Sequence, residues 1–115
     1  MEKLFDRVAL SCSKITTNLY STSFSLGIRS LAKKYHDPIY AIYGFVRFAD
    51  EIVDTFHEYN KHELLNDFRK ETFKAIDQKI SLNPILQAFQ QVVNAYEIDH
   101  QLFTDFLDSM EMDLH

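Results

Sequence analysis

Within residues 37–55, DPIYAIYGFVRFADEIVDT, four polar side chains recur at steps of four, three and four: Tyr43, Arg47, Asp50 and Asp54. On a helix those steps keep all four on one stripe. Asp50 and Asp54 then lie one turn apart, about 6 Å along the axis, and like charges at that spacing repel. Burial adds a desolvation cost to each carboxylate. Arg47 offsets part of this, but one cation does not neutralise Asp50, Asp54 and the neighbouring Glu51. A divalent cation does. Mg2+ is held by one or two carboxylates together with water and substrate phosphates, which makes Asp50 and Asp54 candidate metal ligands. Arg47, with its planar fork of donors, and Tyr43, with its phenol hydroxyl, suit a phosphate oxygen. The competing reading is a solvated acidic face with an intrahelical Arg–Asp pair, which contributes little. The apolar flanks of the stretch count against it.

The element that must position these groups is a helix apolar almost all round, through Ile39, Ala41, Ile42, Phe45, Val46, Phe48, Ala49, Ile52 and Val53. Such a helix belongs inside a bundle. Asp37 as cap and Pro38 at the first helical position predict its start. Before it, Leu4, Phe5, Val8, Cys12, Ile15 and Leu19 recur at helical spacing and predict a first helix over about 2–19 that buries this stripe. Lys3, Asp6, Arg7 and Lys14 are left for the other face, and Cys12 reads as a core residue. Four hydroxyl side chains fall among residues 21–25 around Phe24. They compete for backbone groups in a helix interior and predict a break. Ser23 or Ser25 then caps a short helix running to about Lys34. Ser21 and Ser23 read equally as capping residues and as donors at a helix-start phosphate site; residue chemistry does not choose.

Three further helices follow. Asn60 opens one, with Glu63 three residues on and Leu64, Leu65, Phe68, Phe73 and Ile76 inward. Asn83–Pro84 opens the next, with Ile85, Leu86, Phe89, Val92, Val93 and Tyr96. Asp99 opens the last, with Leu102, Phe103, Phe106, Leu107, Met110 and Leu114 inward and Asp113 near that face. The five histidines show no metal-ligand spacing.

Composition agrees with a globular all-helical chain: 115 residues, 46% hydrophobic, 25% charged, with only two Gly and two Pro. The length predicts one domain. A net charge of −5 argues against nucleic-acid binding. A single Cys12 rules out an intrachain disulfide and fits a reducing compartment. With no apolar run long enough to span a membrane and no signal-peptide pattern, a cytoplasmic location is expected.

The cluster Y-S-T-S-F-S, the run A-I-Y-G-F-V-R-F-A-D-E-I-V-D and the ending S-M-E-M-D-L-H, in this order and spacing, resemble the squalene/phytoene synthase family. The resemblance implies an all-α helical bundle, the N-terminal part of an isoprenoid-synthase-like fold. It implies an activity that joins two prenyl diphosphates, such as farnesyl or geranylgeranyl diphosphate, head to head in squalene or carotenoid biosynthesis. Asp50 and Asp54 match the family's first aspartate-rich motif, which binds Mg2+ bridging to diphosphate. Glu51 stands where many relatives carry another Asp and is not taken as a ligand. Arg47, Tyr43, Ser21 and Ser23 match diphosphate-side residues, with Tyr43, Arg47, Asp50 and Asp54 forming the catalytic set. Asp113 falls at the acidic position of a G-M-x-M-D-L-like segment in which Ser109 replaces the usual Gly. A squalene-forming member would also use NADPH, and peripheral membrane association of the full protein is compatible with the family.

One departure counts. The family carries a second aspartate-rich motif on a later helix, and no second D-x-x-x-D follows Asp54 on a comparable apolar helix. The expectation is therefore an N-terminal portion of a larger synthase domain, inactive alone and prone to self-association through uncovered helix faces. Two alternatives of another class are a non-catalytic helical interaction module and a truncated paralogue that binds diphosphate without turnover.

Overall fold

The computed structural model describes residues 2–20, 27–28 and 30–114. They form five α-helices: α1 (Glu2–Tyr20), α2 (His36–Asp54), α3 (Lys61–Gln78), α4 (Pro84–Ala95) and α5 (His100–Met112), with a 3-10 turn at Lys33–Tyr35 before α2. The described residues contain no strand, and the fold is an all-α bundle.

Three helix starts follow the local chemistry that predicts them. Asn60 accepts a hydrogen bond from the Glu63 amide at 3.1 Å. Asn83 accepts from the Ile85 and Leu86 amides, with Pro84 in the first turn, and Asp99 accepts from the Gln101 amide at 3.0 Å. Each satisfies amides that a helix start leaves without a carbonyl. The start of α2 differs. It begins at His36, continuing from the 3-10 turn, and Tyr35 in the cap position makes no side-chain bond. Asp37 sits inside the first turn and pairs instead with Lys14 of α1 at 3.2 Å, where an acidic group still complements the helix dipole. The short helix expected to reach Lys34 is also interrupted. Turn bonds run from Ser30 to Gly27 and from Leu31 to Ile28, and Ala32 is extended (φ −56°, ψ 139°) before the 3-10 turn.

α2 lies at the centre and touches all four other helices. Its buried face is Tyr40, Ala41, Gly44, Phe45, Ala49 and Ile52. Phe45 stacks on Phe89 of α4 at a centroid distance of 3.9 Å and on Phe68 of α3 at 5.4 Å. This aromatic contact and the aliphatic residues around it form the main core, which hydrophobic burial and ring packing stabilise together.

The packing of α1 corrects the reading of its stripe. Leu4, Val8, Ile15 and Leu19 are exposed, while Ala9, Ser13 and Thr17 are fully buried. Size decides the matter. Ala9, Ala41 and Ala88, one from each of α1, α2 and α4, form a small cluster of their own. A Cβ placed on Gly44 would stand 3.0 Å from the Ser13 Cα. Helices approach this closely only through small side chains. The buried hydroxyls are satisfied within the helix: Ser13 donates to the Ala9 carbonyl and Thr17 to the Ser13 carbonyl, so burying them leaves no orphaned donor. Cys12 is half-buried at the edge of the main core.

Gln87 and Gln90 of α4 are buried although glutamine is usually exposed. Gln87 accepts from the Ser81 amide and donates to Asp6; Gln90 donates to the Lys79 carbonyl. These amides close the end of α3, where Lys79 takes a left-handed conformation (φ 61°) without a glycine to ease it.

Candidate functional site

Because α2 is continuous to Asp54, the steps from Tyr43 through Arg47 and Asp50 to Asp54 do place the four side chains along one stripe. Arg47 donates from Nη1 to Asp50 Oδ2 at 3.1 Å, and the two side chains are only 26% and 23% exposed. The intrahelical Arg–Asp pair of the competing reading is thus present, at the rim of the core rather than in open solvent. Tyr43 and Glu51 are half-buried, and Asp54 is exposed on the last residue of the helix. Beside it the Lys61 ammonium, from the start of α3, donates to the Val53 carbonyl and lies 2.8 Å from His57 Nδ1. A cation at that end complements the helix dipole and satisfies a terminal carbonyl.

Burial raises the Asp50 carboxyl above its ordinary range; the Arg47 guanidinium opposes the rise, and the charges of Asp54 and Asp113 add to it. The last contribution draws α5 into the site. Phe106 of α5 lies 5.9 Å from Phe45, centroid to centroid, and Leu102 and Phe106 line a groove together with Ile42 and Val46 of α2. From that contact α2 runs on one turn to Asp50 and α5 runs on two turns to Asp113. Asp113 ends α5, its amide bonded to the Ser109 carbonyl, and it is exposed. The charges of Arg47, Asp54 and Asp113 are therefore all felt at Asp50, one turn beyond the part of α2 that lines the groove.

The groove is almost wholly apolar, has a volume of about 340 Å3, and is also lined by Phe89, Ile98 and Phe103. Its residues come from three helices and the loop before α5, so no single periodic stripe revealed it. The clue available in the sequence was only the number of Phe residues.

Among the described residues, no three His, Cys, Asp or Glu side chains converge closely enough to form a metal cage by themselves. The donor set nevertheless fits Mg2+. Asp50 and Asp54 supply hard carboxylate oxygens one turn apart, and burial, with lesser repulsion from Asp54 and Asp113, raises Asp50; a divalent cation that keeps waters and takes phosphate oxygens needs no more than one or two such ligands. Ser21 and Ser23, the other diphosphate-side candidates, lie outside the described residues. No described helix is long and apolar enough to cross a membrane.

No curated protein and no solved structure matches the chain. The model of the squalene/phytoene synthase family, however, matches residues 17–115. That span holds the stripe of α2, the groove and the acidic end of α5, and with most of the chain so matched, it belongs to the squalene/phytoene synthase family.

Proposed function

We propose that the chain binds a prenyl diphosphate, its diphosphate at the Arg47–Asp50–Asp54 end and its hydrocarbon in the adjoining groove, as part of a synthase that joins two such molecules head to head. The observation that carries this reading is that α2 lines an apolar groove of about 340 Å3 through Ile42, Phe45 and Val46 and bears the Arg47–Asp50 pair within the next turn. A prenyl diphosphate has the same division, one end anionic and the other hydrocarbon.

Asp50 and Asp54 would hold Mg2+, which when bound neutralises the departing diphosphate as a Lewis acid. Arg47 would turn its fork of donors from Asp50 toward phosphate oxygens, and the Tyr43 hydroxyl would donate one turn earlier. Ser21 and Ser23 complete the diphosphate side in this reading. Phe45, Phe89 and Phe106 line the groove; aromatic rings attract cations, so such a lining would favour an allylic cation. Glu51 has no assigned part.

The reading predicts that Mg2+ with inorganic diphosphate or a thio-diphosphate analogue raises the melting temperature of the chain. Asp50→Asn combined with Asp54→Asn should abolish the rise. An undiminished shift in the double variant would remove both residues from the metal site.

A further inference from the structure

Beyond Leu107, α5 meets the main core only through the half-buried Met110 and Leu114. Phe103 and Leu107 are buried, but Asp108, Ser109, Glu111, Met112 and Asp113 are exposed, and Met110 and Leu114 only half-buried. Across this last turn lies one cation. Arg69 of α3, 23% exposed, donates from Nη2 to Asp108 Oδ1 at 2.5 Å and stands 3.8 Å from Glu111 Oε2. Leu65 and Leu114 close the small crevice beside it. The two acids are three residues apart on α5, so a single guanidinium spans the turn that ends in Asp113.

We propose that Arg69 is a positioning residue: by holding the final turn of α5 against α3 it sets Asp113 opposite Asp50 at the charged end of the groove. Both acids are more than half exposed, and pairs of that kind contribute little to global stability. What the pair does fix is direction. Phe73 meets Phe103 (5.6 Å between centroids) and Arg69 meets Asp108, so α5 lies antiparallel to α3. The ring contact secures its first half; its second is held by the guanidinium together with Met110 and Leu114. Freed from Arg69, the last turn would be held by Met110 and Leu114 alone, and Asp113 would range more widely without the core unfolding. The consequence for metal and diphosphate rests on the function proposed above; the consequence for geometry does not.

The test has two arms. In a Cys12→Ser background, spin labels at Glu58→Cys and Met112→Cys report the distance between the turn that joins α2 to α3 and the end of α5. Arg69→Met should lengthen or broaden that distance and Arg69→Lys should restore part of it; a distance unchanged in Arg69→Met overturns the proposal. If Arg69→Met fails to fold, Asp108→Asn with Glu111→Gln removes the same clamp from the other side and is held to the same result. In the second arm, calorimetry follows binding of Mn2+ with inorganic diphosphate. Arg69→Met should weaken it about tenfold, the lower end for groups that orient metal ligands. Asp113→Asn should weaken it too, and the double variant should be no weaker than Asp113→Asn alone. Additive losses would mean that Arg69 does not act through Asp113 and would overturn the proposal. If the parent chain binds no Mn2+ and diphosphate, the function proposed above falls, while the distance arm still decides on Arg69.

Discussion

Asp50 carries two opposing demands. Its carboxylate is most useful ionised, yet burial and the charges of Asp54 and Asp113 favour its proton, with only Arg47 pulling the other way. A carboxyl whose proton is held more tightly in the folded state stabilises the fold at acid pH, and that contribution disappears as pH rises through the raised value. In the absence of metal, Asp50→Asn should therefore melt at the same temperature as the parent at acid pH and higher at neutral pH. Melting curves across the weakly acidic range check this, and a neutral-pH loss in the variant would show that the Arg47 pair outweighs burial. Arg47 itself can serve folding or substrate phosphate. If it serves phosphate, Arg47→Ala should weaken binding of a diphosphate analogue while the denaturant midpoint stays nearly constant. Arg47→Lys should not rescue, because an ammonium lacks the planar fork. Calorimetry of binding beside a denaturant titration separates the two roles.

At the scale of elements, the contact of α1 with α2 is the most exacting. Exposed helical Gly→Ala changes usually gain about 1 kcal/mol. At Gly44 the added methyl would meet the Ser13 backbone at 3.0 Å, and forcing helices apart costs about 1–3 kcal/mol. Gly44→Ala should thus lose stability, and Gly44→Val should lose more; urea titration measures both. The caps offer a milder contrast. Asn83 satisfies two amides at the start of α4, so Asn83→Ala should cost about 1 kcal/mol in the same assay. These contacts matter to the site because α2 and α4 form the walls of the groove.

For the molecule as a whole, the outward stripe of α1 sets the expected behaviour. Leu4, Val8, Ile15 and Leu19 lie within one face of the helix, are between 48% and 79% exposed, and add to the exposed Leu102 and Met112 of α5. Apolar faces of this kind seek cover. We expect the 115-residue chain to self-associate, with light scattering giving a mass above that of the monomer. Ile15→Asp with Leu19→Glu should return it toward the monomer without unfolding, since neither residue contributes to the core. A strictly monomeric parent at high concentration would contradict this.

The sequence alone determined the features that depend on neighbours along the chain. Three helix starts rest on side chains two or three residues from the amides they cap, and the stripe from Tyr43 to Asp54 needs only an unbroken helix. The family resemblance, carried by the same local motifs, agreed with the match over residues 17–115. Tertiary structure decided what depends on which surfaces meet. Hydrophobic periodicity pointed the Leu4–Leu19 stripe inward, but the close approach of α1 to α2 selected Ala9, Ser13 and Thr17, whose small size and internally satisfied hydroxyls permit contact. Asp37 offered a cap, and the 3-10 turn before α2 left it to pair with Lys14 across the bundle instead. Asp113 could be named from its motif, but that its charge is felt at Asp50 follows only from α5 packing along α2 past Phe45. Capping and helical spacing act over a few residues and can be read in order; size at a helix crossing and charge across a groove arise only once distant segments are brought together.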